Sequence, residues 1–434
     1  MLFGNNIFRY GMKANLQLHL QGRGRLSICG RGISFFLCAL LLLVVNCPGY
    51  SAEIQYAVTD LGTLGGSLIY ASGLNNSGQV VGNCSTTNGA RRAFVYANGH
   101  LTDLGTLGGT NGYAYGINNS GQIAGGAEIS TGVEDAFFYD KGVMTDLGTF
   151  GGTSSDARAI NNKGQIAGGF WISGDTSYHA YLYSAGTMTD LGTLGGTRSL
   201  AFGINDNGQV VGQSSITGVT PYHAFLYSAG TMADLGTLGG AQSFAYGINN
   251  SGQVVGGAFT STNVEHAFLY SGGTMTDLDS FGSLRSRAYA INRFGEIVGF
   301  MGFGDHAFVY RGGVMTDLNT VIDTNLGWTL EVAAAINDRG QIAGVGTHPA
   351  GTLRAFLLTP LPNVQISLTP SNAVQLQFIG HAGEGYVVEY RTSLGSGSWQ
   401  VFALLDPVPV TQTITLTDPL APDRPTRFYR VRTR

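Results

Sequence analysis

The chain has 434 residues, enough for two or three domains. Charged residues make up 12% and apolar residues 43%, which excludes a disordered chain, because disorder pairs low hydrophobicity with high charge. With 67 Gly, 20 Tyr and 23 Phe, the composition points to many short strands joined by tight turns.

Residues 1–52 carry five bases (Arg9, Lys13, Arg23, Arg25, Arg31) and no acid. The apolar run Ile33–Val45 follows; it is short for a bilayer span and has the length of a signal-peptide core. Gly49, Ser51 and Ala52 place cleavage near Ala52, and Met12 offers an alternative start. Cys47 is a poor lipoprotein site, because Asn46 precedes it where a small residue is wanted. No second apolar stretch approaches the roughly 18 residues of a span, so a secreted or periplasmic protein without a membrane span is expected. Without the leader, 18 basic residues face 27 acidic ones with no basic cluster, which argues against nucleic acid as partner. Cys29, Cys38 and Cys47 leave with the leader, so Cys84 can form neither an intrachain disulfide nor a cysteine metal site.

An internal repeat dominates residues 53–362. An Asp-Leu pair, mostly within DLGTLGG, recurs at Asp60, Asp103, Asp146, Asp190, Asp234, Asp277 and Asp317. An Ile/Leu-Asn pair recurs at Asn75, Asn118, Asn161, Asn205, Asn249, Asn292 and Asn337, and an Ala-aromatic pair at Ala93, Ala136, Ala180, Ala224, Ala267, Ala307 and Ala355. Each unit of 43 or 44 residues reads as four short antiparallel strands. In the fifth unit these are Ala245–Asn249, Gln253–Gly256, His266–Tyr270 and Thr274–Leu278. The Asn-x-x-Gly turn and the Asn98-Gly99 and Lys141-Gly142 pairs suit tight hairpins. That is the size of a propeller blade. The segment Tyr56–Leu61 is a surplus fourth strand, while the last unit stops after Arg354–Leu358. Pairing the two predicts a seven-bladed β-propeller closed by its N-terminal strand.

The unit resembles the HAF repeat of exported bacterial proteins, named for its His-Ala-Phe triplet. The triplet stands at His223-Ala224-Phe225, His266-Ala267-Phe268 and His306-Ala307-Phe308, and as His179-Ala180-Tyr181. The resemblance implies export and no known activity. Residues 363–434 lose the repeat and alternate as six short strands with Tyr386–Tyr390, Trp399 and Phe428–Val431, a pattern similar to fibronectin type III-like β-sandwich modules.

Catalytic chemistry is hard to find. The seven aspartates are spread over equivalent places in seven units, where a hydrogen bond to the glycine turn accounts for them. The four triplet histidines could serve a metal only by converging on one ion, so packing or hydrogen bonding near a rim is expected. No phosphate loop or calcium-loop motif is present, and no cofactor or metal is expected.

Length variation falls on one rim. The connection from second to third strand varies from 7 to 11 residues between its flanking Gly and Ala, and the Asp-to-Asn spacing is 15 in six units and 20 in the last. That rim carries Trp171, Tyr178, Tyr222, Phe259 and Phe303, with Asp305 and His306 beside a short connection, and Asp323 and Trp328 in an insertion read as a lid. Exposed aromatics near Ser and Thr suit a glycan or protein surface. The expected function is therefore an exported, monomeric, non-catalytic binding or scaffold module. The alternative is a hydrolase or lyase acting on polysaccharide, for which Asp305, Asp323 and Glu331 are the candidate carboxylates.

Overall fold

The computed structural model describes residues 54–174, 176–278, 285–302, 306–369, 373–380, 385–392, 398–408, 412–418 and 427–433. The leader with its cleavage site, and Phe303 and Asp305 on the rim, lie outside these residues. The described chain is all-β apart from two single-turn 3-10 segments, Leu318–Thr320 and Thr324–Leu326. Among the described residues no helix is long and apolar enough to cross a membrane. Contacts divide the chain into Tyr56–Pro360 and a second unit that includes Leu361–Arg434.

Within Tyr56–Pro360 the described residues form seven four-stranded antiparallel sheets. Six are built from consecutive strands; the second, for example, uses Gly108–Ile117, Ile123–Ile129, Glu134–Asp140 and Val143–Gly148. The seventh takes Thr329–Ile336, Ile342–Thr347 and Leu353–Pro360, and its fourth strand is Tyr56–Asp60, with Val58 opposite Leu358. Tyr56 is fixed there by its N–H, which donates to the Val321 carbonyl (2.9 Å), and by its hydroxyl, which accepts from Arg311 Nη2.

Side-chain size explains how the sheets stack. The third strand carries a fully buried ring in every unit (Phe94, Phe137, Tyr181, Phe225, Phe268, Phe308, Phe356). Phe225 pairs with Gly212, where an added Cβ would stand 2.8 Å from the ring and 2.0 Å from the Leu200 carbonyl. Only glycine fits that close approach. Seven apolar clusters each join two successive sheets, the seventh and first included. Phe225, Val210 and Ala201 of the fourth sheet pack in one of them against Ala167, Ala180 and Leu191 of the third.

The first strands of successive sheets touch one another in a circuit, which makes them the innermost. Each ends on a buried asparagine whose Oδ1 caps the following turn; Asn75 accepts from the N–H groups of Ser77 and Gln79 at 3.0 Å. Its Nδ2 donates to Gln79 Oε1 and to the backbone carbonyl of Asn118, the matching residue of the next sheet. All seven make this cross-sheet bond at 2.9–3.2 Å, and Asn337 returns it to Asn75. Each side-chain amide therefore makes its full set of four hydrogen bonds. A cavity of about 180 Å³ opens at this end of the ring.

Among its described residues the second unit holds two three-stranded sheets: Gln365–Leu368, Val374–Gly380 and Gln412–Asp418; and Gln400–Leu405, Tyr386–Arg391 and Phe428–Thr433. Leu376, Phe378, Tyr386, Val388, Tyr429 and Val431 form its core. The Tyr429 hydroxyl bonds Asp418, which also takes Arg427.

Candidate functional site

Three residues before each ring asparagine, the innermost strands share an irregularity. In every sheet the register between first and second strand slips by one residue, next to the buried alanine. The residue passed over is Ser72, Tyr115, Arg158, Phe202, Tyr246, Tyr289 or Ala334 in the seven sheets. A bulge leaves its extra residue out of the ladder and re-aims its side chain. Here those side chains meet from sheet to sheet around the innermost strands: Phe202 and Tyr246 ring centres are 5.1 Å apart, Tyr246 and Tyr289 5.3 Å. From Tyr115 to Tyr289, five successive sheets present an aromatic ring or an arginine.

A second variable position opens the third strand, two residues before its buried alanine. It holds Arg91, Glu134, Tyr178, Tyr222 and Glu265 in the first five sheets. Arg91 lies over Tyr70 and Tyr178 bonds Asp156, each on the first strand of its own sheet, while Glu265 reaches Arg287 on that of the following one. Glu265 takes Arg287 Nε and Nη2 at 2.7 and 2.8 Å, with Arg285 Nε at 3.5 Å. The Arg287 guanidinium lies over Tyr246, Phe300 and Tyr289 at 5.4, 5.8 and 6.0 Å from their ring centres. Burial pushes the Tyr246 hydroxyl up to about 12 despite Arg287.

Between the second and third sheets the same position is Glu134. Burial and then the Asp156 carboxylate push its carboxyl up to about 7, with Arg158 acting the other way. Asp156 is itself satisfied: Arg158 Nε and Nη2 donate to its Oδ2 (2.7 and 2.6 Å) and the Gly169 N–H to its Oδ1 (3.0 Å). Tyr178 is hydrogen-bonded to the same carboxylate, and burial holds its hydroxyl well above its ordinary range. Arg158 lies 4.6 Å over the Tyr115 ring.

The rim residues named from the sequence have different fates. Trp171 and Tyr178 pair across their strands and stack edge to face at 5.3 Å, with Arg198 over Trp171 at 5.6 Å. Tyr222 opens the third strand of the fourth sheet opposite Ser215, and Phe259 lies opposite Glu265; both are half-buried. His306 gives Nδ1 to Asp317 at 2.7 Å. Trp328 packs edge to face on His348 and Phe356 at 5.2 and 6.3 Å, which makes its ring part of the seventh sheet's packing. The insertion does not form a free lid: Val321 and Ile322 are buried, and Asn319 ties it to both backbone groups of Leu330. Asp323 is exposed and takes the Asn325 N–H, while Glu331 takes the Thr347 hydroxyl.

The triplet histidines all do one thing. His179, His223, His266 and His306 each place Nδ1 within 2.7–2.9 Å of the aspartate on the adjacent fourth strand. Asp60, Asp103, Asp146, Asp190 and Asp234 accept the N–H of the glycine two residues on; Asp317 accepts Asn319 instead. Among the described residues no group of three or more His, Cys, Asp or Glu is placed to hold a metal.

Residues 174–352 match a family described as "Protein of unknown function (DUF3466)". No curated protein matches the chain. Among solved structures, the chain is similar to the extracellular domain of a hybrid two-component system from B. thetaiotaomicron (13% identity, TM-score 0.47), covering 77% of this chain and 46% of that one. The chain thus spans under half the length of that protein. It is also similar to the β-propeller domain of the Trilobed protease from Pyrococcus furiosus (9% identity, TM-score 0.48, 67% of this chain and 97% of that one). A third is the six-bladed, fucose-recognising Aleuria aurantia lectin (13% identity, TM-score 0.29, 82% and 96%). None of these likenesses assigns a ligand to this chain.

Proposed function

We propose that this chain is an exported, non-catalytic binding protein. In this reading it is a seven-bladed propeller of HAF-type repeats closed by Tyr56–Asp60, followed by a fibronectin type III-like sandwich. It takes a glycan at the rim where the connection lengths vary, and acts without cofactor.

The observation that supports this is the arc of bulged side chains. Seven backbones make the same bulge, yet five successive sheets fill it with Tyr115, Arg158, Phe202, Tyr246 and Tyr289. A purely structural position on a crowded inner wall favours small residues, as the neighbouring alanines and glycines show. Flat rings beside arginines and carboxylates suit the apolar faces and hydroxyls of sugar rings. Trp171, Tyr178 and Tyr222 extend the same surface outward.

The test is a glycan array probed with the protein and with Tyr246→Ala, Trp171→Ala and Trp328→Ala. Binding should weaken in the first two variants, whereas Trp328→Ala should lower stability and spare affinity. Glycan binding that Tyr246→Ala and Trp171→Ala leave untouched would place the ligand elsewhere.

A further inference from the structure

Two glutamates occupy the same place in their repeats, and only one of them is given a cation. Glu134 and Glu265 both open a third strand, and both lay their carboxylates across a glycine of the second strand. An added Cβ at Gly126 would stand 2.0 Å from Glu134 Oε1, and one at Gly257 2.4 Å from Glu265 Oε1. Glu265 is met by the bidentate Arg287 of the following sheet, whose guanidinium is bracketed by three rings. The residue matching Arg287 beside Glu134 is Asp156. The arginine nearby, Arg158, spends both Nε and Nη2 on that aspartate. Glu134 accepts no hydrogen bond and forms no ion pair with any described residue.

The surroundings of Glu134 are otherwise those of a cation site. Tyr113 and Tyr115 are nearly parallel, 8° between planes and 6.3 Å between centres, and both feel the Glu134 charge. Tyr178 faces it from the third sheet. Glu128, the remaining carboxylate near it, is engaged by the Asn111 side chain and the N–H groups of Thr110 and Asn111. With Asp156 and Arg158 cancelling, one carboxyl beside three tyrosines stays uncompensated. A half-buried carboxylate without a partner is costly, and a ligand cation set against aromatic faces removes that cost.

We propose that the side-chain cluster between the second and third sheets, formed by Glu134, Tyr113, Tyr115 and Tyr178 beside Gly126, binds the ammonium group of an amino sugar. This rests on the glycan reading above and adds the ligand's charge. The outer face of the stacked Tyr113 and Tyr115 pair favours a pyranose ring over a flexible cationic side chain, because a flat ring matches a flat face. Burial and Asp156 push the Glu134 carboxyl up to about 7, among Glu128, Asp156, Arg158 and the three tyrosines, so an arriving ammonium displaces the proton from the fraction that is protonated.

The experiment is calorimetric titration at pH 7 with tetramers of glucosamine, of N-acetylglucosamine and of glucose, and with an arginine-rich peptide. Each is run on the wild type, Glu134→Gln and Glu265→Gln, with circular dichroism as the check on folding. The glucosamine tetramer should bind at least tenfold more tightly than the two neutral tetramers. Its binding heat should depend on the buffer's ionisation enthalpy, reporting proton release, and Glu134→Gln should remove both effects while Glu265→Gln keeps them. Equal binding of all three tetramers, unchanged in Glu134→Gln, would overturn the ammonium assignment and leave the glycan reading standing. Binding of the peptide alone, or of nothing, would overturn both.

Discussion

The Nδ2 of Asn337 donates to the backbone carbonyl of Asn75 over 2.9 Å, between residues 262 positions apart in the chain. It is the last link in a circuit whose other six links join successive units, so the final sheet is held to the first by the bond used everywhere else. Replacing Asn161 with Asp keeps the Oδ1 acceptor that caps the turn and removes the Nδ2 donors to the Asn205 carbonyl and Gln165 Oε1. Urea denaturation should show a loss of about 1–3 kcal/mol for Asn161→Asp and a larger one for Asn161→Ala, which also loses the cap.

Phe225 is wholly buried between the third and fourth sheets, over a glycine that cannot fill the space it would leave. Phe225→Ala should cost about 3–5 kcal/mol, read from the same denaturation curves.

Two hairpins are closed by a residue type that suits them badly. Ala185 and Ala229 stand at φ 48° and 50°, where the first two units use Asn98 and Lys141 and the fifth and sixth use Gly272 and Gly312. The Cβ makes this left-handed region unfavourable for alanine. Ala229→Gly should therefore stabilise the protein by about 0.5–1 kcal/mol, seen as a raised midpoint of thermal unfolding.

Glu134 gives a pH signature with a definite sign. Its carboxyl is raised from 4.5 to about 7 in the folded protein, so the native state binds this proton more tightly than the unfolded chain does. Its contribution to stability is full below pH 4.5 and falls as pH rises towards 7. Glu134→Gln cannot ionise. Relative to the wild type it should gain about 1–2 kcal/mol of stability between pH 4 and pH 8, the value reduced for the group's partial exposure. Equal changes at both pH values would contradict the environment described for Glu134.

Much of this molecule can be read from the recurrence of a few residues. The Asn-x-x-Gly turns are visible because each needs a side-chain cap and a positive φ, as at Asn75 and Gly78. The rim aromatics Trp171 and Tyr178 are visible because they interrupt a repeat. The bulged residues are harder to see. They stand alone between a constant Ala and a Gly or Ala, and a one-residue slip of register leaves no periodic trace. Their signal is variability at one fixed position, Ser72 to Ala334, inside an otherwise constant strand. Glu134 and Glu265 escape attention for another reason: aromatic residues draw the eye at the position they share with Tyr178 and Tyr222. The difference between them lies in the next unit, where Asp156 replaces the counterpart of Arg287. The cross-sheet use of the asparagine amides is a tertiary fact, which no spacing within a unit can show, whereas the pairing of His179 with Asp190 follows a constant spacing across one hairpin.

Everything at the rim depends on the ring being completed within one chain by Tyr56–Asp60. The most direct measurement is disulfide trapping between Val58→Cys and Leu358→Cys, which are cross-strand partners, with the buried Cys84 replaced by Ser. Directly opposed strand residues lie within the Cα separation that a disulfide spans. A ring closed within one chain should give rapid, reducible cross-linking within single chains, seen as a mobility shift at monomer mass. Cross-links that form only between chains, or not at all in a folded protein, would contradict it.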